Sequence, residues 1–239
     1  MNFTTGTLNL LGAYDNASVY PNEAAAGNLI FNNLTSIVKA SQGPWIYTSS
    51  GDGPSVQALA VSKQGELTAL TDRGTGAVLN YPVQDRPFIA AAHPSKPYLY
   101  VPSSTRDQVL PLTSYIHVFE TKQDGSLTEI KPFASDPKDG SPNVINTGTN
   151  YPSITKLHPS GEFLFISDFA GSVISVYQID LHTGHLCELE NSPFMTVDPD
   201  PSVAANVAQT LGIAFSSDGR FVYISNFNDT YTVQTAGGA

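Results

Sequence analysis

The chain has 239 residues, 41% hydrophobic and 13% charged, which suffices for one large domain or two small ones with a real core and excludes a disordered chain or a coiled coil. A formal charge of −10 argues against a nucleic-acid partner, whose phosphates would be repelled, and gives no basic patch for an anionic membrane. A single cysteine, Cys187, excludes an internal disulfide and a cysteine-built zinc site, and 17 prolines with 19 glycines favour short strands and tight turns.

The chain opens on MNFTTGTLNLLGAY, which has no basic n-region and no long apolar h-region. No apolar run approaches the roughly 20 residues of a membrane helix. The expectation is a soluble protein, cytoplasmic if the chain is complete as given. Sequons at Asn2, Asn16, Asn33 and Asn228 are compatible with secretion, so the compartment stays open. Within this opening, GTLNLL reads as a strand, and residues 12–35 carry no clear pattern.

From Ser36 onward one phrase recurs. SIVKASQGPWIYTSS at Ser36, FIAAAHPSKPYLYVPSS at Phe88, SITKLHPSGEFLFISDF at Ser153 and LGIAFSSDGRFVYISNF at Leu211 each read as a strand, a polar turn and an alternating aromatic strand. Trp45, Tyr98, Phe163 and Phe221 hold equivalent places. A second phrase follows three of them: VQALAVSKQGELTAL, IHVFETKQDGSLTEI and VISVYQIDLHTGHLCEL, each strand–turn–strand with a turn glycine at Gly65, Gly125 or Gly184. The glycines stand about sixty residues apart, and one more step back reaches Gly6.

Four strands per unit at this period predict an all-β β-propeller of four-stranded blades, with about four blades readable. The units fall at about 28–70, 86–131, 152–190 and 210–239 plus 5–11, the N-terminal strand completing the last blade and closing the ring. A single blade cannot cover both its faces, so blades must stack. Four is few for a propeller; the ring closes at four, belongs to a larger one, or is completed by self-association that covers open blade faces.

The repeat also classifies the histidines. His93 and His158 share a position with Ser216 and, allowing one deletion, Ser41, so they read as turn residues. His117 falls in a strand. His182 and His185 flank Gly184 without a third ligand, and neither a metal nor another cofactor is expected.

HPSGEFLFISDFAGSVISVYQIDLHTGHLCELENSPF, His158 to Phe194, resembles the repeat of lactonase-type β-propellers, which include 6-phosphogluconolactonases and carboxymuconate cyclases. The shared phrases are the P-S-G turn and following strand, VSVY-x-I-D in the form VISVYQID, T-G-x-L and the closing SPF, which KPF at Lys131 echoes. The resemblance implies a ring usually of seven blades that opens or closes a lactone at its central channel, with a histidine, arginines and a glutamate serving the reaction. The family's Pro-His phrase falls here on Pro87-Phe88, Pro152-Ser153 and Thr210-Leu211, none with a histidine.

What the resemblance implies for residues is narrower. Asp168 stands where the family has its Asp-Leu-Gly phrase and would orient water or a substrate hydroxyl, or cap the turn; its repeat equivalents are Ser103 and Asn226, and Asn226 would bind substrate with the arginines. Arg73, Arg86 and Arg106, in the long connections, would clamp an anionic sugar acid or lactone. The functional expectation is therefore a 6-phosphogluconolactonase-like enzyme taking a lactone or sugar acid, set against a non-catalytic propeller that binds partners through its loop face.

Overall fold

The computed structural model describes residues 34–50, 54–84, 86–104, 114–130, 152–168, 172–196 and 209–227. The strand expected at 5–11 and the end of the last unit, 228–239, lie outside them. All described regular structure is β, in four antiparallel sheets that follow one another along the chain as the blades of a propeller. Among the described residues, no helix is long and apolar enough to cross a membrane.

Blade 1 runs β1 (Leu34–Lys39), β2 (Trp45–Ser50), β3 (Ser55–Val61) and β4 (Leu67–Ala69), with β5 (Asn80–Pro82) added to β3. In blade 2 the inner strand is split into β6 (Arg86–Pro87) and β7 (Ala91–Ala92), both paired with β8 (Tyr98–Ser104), which β9 (Ser114–Thr121) and β10 (Leu127–Glu129) follow. Blade 3 comprises β11 (Pro152–Leu157), β12 (Phe163–Asp168), β13 (Val173–Ile179) and β14 (Leu186–Glu188), with β15 (Phe194–Met195) on β13. Blade 4 is described as β16 (Gln209–Phe215) and β17 (Val222–Phe227).

Two details depart from a plain four-strand unit. The stretch 71–87, read as an irregular connection, contains an isolated bridge between Thr71 and Val78 and the fifth strand β5. The inner strand also slips register at one place in three blades, between Leu34 and Ser36, Pro152 and Thr155, and Thr210 and Gly212. Blade 2 breaks its inner strand at the same place, between β6 and β7. Such a bulge bends the strand and re-aims its side chains.

Alternation along each strand sends one set of side chains to the preceding blade and the other to the following one. Tyr47, Val56 and Ala58 of blade 1 meet Leu99, Val101 and Phe119 of blade 2. Tyr100 and Val118 of blade 2 meet Leu164, Ile166 and Tyr177 of blade 3, and Ile174 and Val176 of blade 3 meet Ile213 and Val222 of blade 4. Each such buried side chain contributes about 1.5–3 kcal/mol, against about 1 kcal/mol for a hydrogen bond, so apolar burial holds the stack and polar contacts set its register.

Those polar contacts concentrate where the first two strands of each blade turn. Nδ1 of His93 accepts from the amides of Lys96 (2.9 Å) and Ser95 (3.2 Å), which leaves the proton on Nε2 to donate to the Gly161 carbonyl of blade 3 at 2.9 Å. His158 repeats the arrangement, with Nε2 donating to Gly219 O of blade 4 at 2.8 Å. Ser41 does the same with less reach, donating to Lys96 O of blade 2 at 2.8 Å. Gly161 has φ +78°, and a Cβ there would stand 2.7 Å from the His93 ring, so both backbone conformation and space require glycine.

The turns between the third and fourth strands fit their neighbours in the same manner. A Cβ on Gly184 (φ +78°) would lie 2.8 Å from the Tyr98 ring, and one on Gly125 2.7 Å from Trp45. Tyr47 donates its hydroxyl to Gly125 O (3.1 Å) and Tyr98 to His182 O (2.7 Å).

Candidate functional site

The opposite, loop end of the blades is where inner strands begin and second strands finish. Asp168 closes β12 there, opposite Pro152 and Val173, and has no exposed surface. Leu164 and Ile166 pack on blade 2, so Asp168, two residues on, falls on the same side of its strand. Arg86 begins β6 opposite Ser104, whose strand sends Tyr98 and Tyr100 toward blade 3. Register thus places Arg86 and Asp168 on the two facing sides of one seam.

Arg86 is only partly exposed, and its guanidinium carbon lies 5.9 Å from the Phe88 ring centroid. Its Nε is buried and makes no hydrogen bond. A buried guanidinium donor without an acceptor costs free energy unless an acceptor arrives, and a planar carboxylate or phosphate suits the fork.

The other expected site residues disperse. Arg73 is exposed in the turn after β4, at the outer rim. In that turn Asp72 accepts from the Thr75 amide at 2.8 Å, its hydroxyl at 2.9 Å and the Gly74 amide at 3.0 Å, which hold its carboxyl below the usual range. Arg73 acts on Asp124 in the neighbouring outer turn, where hydrogen bonds from Ser126 chiefly, and the Arg73 charge in smaller part, lower the carboxyl pKa. The structure does not bring Arg73 to the seam of Arg86. Arg106 lies outside the described residues.

Asn226 lies at the loop end of blade 4, in a closed network. It accepts from the Thr210 hydroxyl (2.9 Å) and donates to Thr196 O (2.7 Å), while the hydroxyls of Thr196 and Thr210 stand 3.1 Å apart. Ser103 holds the same place in blade 2, but its strand partner is Pro87 instead of Thr210, and its buried hydroxyl has no hydrogen bond. The threonines were missed from sequence because nothing in their local pattern marks them; their role emerges only when β15 and β16 meet.

His117, placed in a strand from sequence, is on β9 and pairs with Glu129 at 2.8 Å while accepting from the Gln84 amide. Among the described residues no group of three or more His, Cys, Asp or Glu could hold a metal ion.

Residues 90–200 match the family model described as Lactonase, 7-bladed beta-propeller. Similar solved structures include a functionally unknown protein from Desulfotomaculum acetoxidans, 16% identical with TM-score 0.53, covering 85% of this chain and 55% of that one. The periplasmic gluconolactonase of Pseudomonas aeruginosa is 14% identical with TM-score 0.44, over 80% of this chain and 64% of that one. A protein from Bacteroides uniformis described as a candidate 6-phosphogluconolactonase is 17% identical with TM-score 0.44, over 84% and 70%. At 16% identity the likeness to the first of these is of fold alone. The chain spans less than two thirds of the first two of these proteins. No curated protein sequence matches it.

Proposed function

Starting from repeats of the lactonase-type β-propeller family, we propose that this chain binds the lactone or free acid of a sugar acid at the loop end of blades 2 and 3 and opens the lactone by hydrolysis. The observation that carries the reading is Arg86, whose buried Nε has no acceptor, on the same seam as the Asp168 carboxylate. Hydrolysis adds water to the carbonyl carbon, forms a tetrahedral oxyanion and breaks the ring C–O bond, the alkoxide leaving with a proton. A guanidinium at this place would neutralise the oxyanion or a substrate carboxylate, and Asp168 would orient the water or a hydroxyl.

A second reading, a propeller that binds without reaction, is supported by the complete burial of Asp168, which leaves it no contact with solvent water. The two part in one experiment. Turnover of a lactone panel including 6-phosphogluconolactone is compared for wild type, Arg86→Gln and Asp168→Asn. Asparagine is the native residue at the equivalent place in blade 4, so the second variant should fold. Loss of about 100-fold or more in kcat/KM for both variants supports hydrolysis. Binding of 6-phosphogluconate that Arg86→Gln abolishes, without turnover by wild type, leaves the binding module. No binding and no turnover by folded wild type ends both.

A further inference from the structure

The link from blade 1 to blade 2 is short, since β5 ends at Pro82 and β6 begins at Arg86. Strand β6 has two residues, so its own pairing secures it weakly, and a strand so brief opens easily unless something else anchors it. Gln84, between the two strands, is fastened twice to β9. Its backbone N–H donates to Nε2 of His117 at 3.1 Å, and its side-chain amide donates to the Tyr115 hydroxyl at 2.9 Å.

Because Nε2 of His117 accepts, the ring proton sits on Nδ1, where it donates to Glu129 Oε1 at 2.8 Å. Phe119 stacks on the imidazole with centroids 6.3 Å apart and planes 19° apart, and the Tyr115 ring lies 6.5 Å away on the same strand. Glu129 therefore sets the tautomer and the aromatic neighbours set the ring plane. One lone pair remains, and it points at one backbone amide. The pairing of carboxylate and imidazole resembles a catalytic dyad in form, yet its basic nitrogen is occupied by the protein's own N–H.

We infer that His117 is a positioning residue for Arg86: the Glu129–His117 pair, with Tyr115, anchors Gln84 and so fixes where the guanidinium two residues later meets its anion. The inference rests on the anion-binding reading of Arg86, but its first consequence does not. That consequence is protection of the Gln84 amide, which hydrogen exchange reads directly.

The test uses wild type, His117→Phe, His117→Gln and Tyr115→Phe. The amides of Gln84 and Arg86 are followed by hydrogen exchange, and 6-phosphogluconate binding is measured by calorimetry. Phenylalanine keeps the ring without the acceptor, so exchange at Gln84 should rise about tenfold and binding weaken about tenfold. Glutamine can place its side-chain oxygen where Nε2 stood and should restore both. Should His117→Phe fail to fold, Tyr115→Phe removes only the side-chain tie and should shift both readouts less, in the same direction. Unchanged exchange at Gln84, or faster exchange with unchanged binding, overturns the inference. If wild type binds no 6-phosphogluconate, the anion reading of Arg86 falls, while the exchange rates still decide whether His117 holds this segment.

Discussion

At the turn end of the molecule, blades 2, 3 and 4 each receive the same contact from the blade before: Ser41 reaches Lys96 O, His93 reaches Gly161 O and His158 reaches Gly219 O. At the loop end the equivalent position changes from Ser103 beside Pro87, through Asp168 beside Pro152, to Asn226 bonded to Thr210. Both ends belong to the same strands and face the same neighbours. The recurring end solves one packing problem three times, whereas the varying end leaves polar groups in different states of satisfaction. A repeat separates scaffold from candidate site without any second sequence, because whatever packing alone demands is demanded of every blade.

The comparison can be broken most forcefully at a turn glycine. Gly161→Ala should destabilise by about 2–4 kcal/mol in urea unfolding, since a Cβ there meets the His93 ring at 2.7 Å in a left-handed backbone. Gly76→Ala, also at positive φ but with nothing within 4 Å, should cost only about 1–2 kcal/mol. Equal losses would show that the close approach between blades contributes nothing.

The next effect is on pH dependence. Burial chiefly lowers the His93 pKa below its ordinary 6.5. The unfolded chain therefore takes the proton first and binds more protons in this range, so the folded state loses stability as pH falls from about 6.5 through the folded-state value. His93→Gln should flatten that part of a plot of unfolding midpoint against pH; an unchanged slope would remove His93 as its source.

At the loop end the effects should be smaller and of two kinds. Thr210→Val leaves Asn226 and Thr196 each short of a partner and should cost about 1–1.5 kcal/mol in the same unfolding assay. Ser103→Ala removes a buried hydroxyl that bonds to nothing and should change stability by no more than about 0.5 kcal/mol. A large loss at Ser103 would mean that the loop end of blade 2 is built as tightly as that of blade 4.

The legible part of the fold was the part that repeats. Gly65, Gly125 and Gly184 mark turns because only a residue free of Cβ adopts their positive φ easily, and each does adopt it. The alternating run from Phe163 to Asp168 reads as a strand for the same reason that it is one. Periodicity describes a residue's place within its unit, however, and is silent about the neighbouring unit. His93 and His158 were legible as turn residues, but their reach across the seam was not, since the acceptors stand 68 and 61 residues further on. The added strands β5 and β15 were hidden because two or three residues carry no alternation. For the candidate site, Arg86 and Asp168 could be named from the resemblance, but their shared seam follows only from register. His117 betrayed nothing of its hold on Gln84, which depends on a tautomer and a backbone amide from the link that enters its blade.

Among the described residues, the histidine bonds between blades, from His93 and His158, run from an earlier blade to a later one. During translation at roughly 5–20 residues per second, the imidazole of His93 would wait about 3–14 s for the backbone oxygen it needs to leave the ribosome. Each of these two seams is therefore completed by the later blade, whose backbone supplies the acceptor that the earlier imidazole lacks until then.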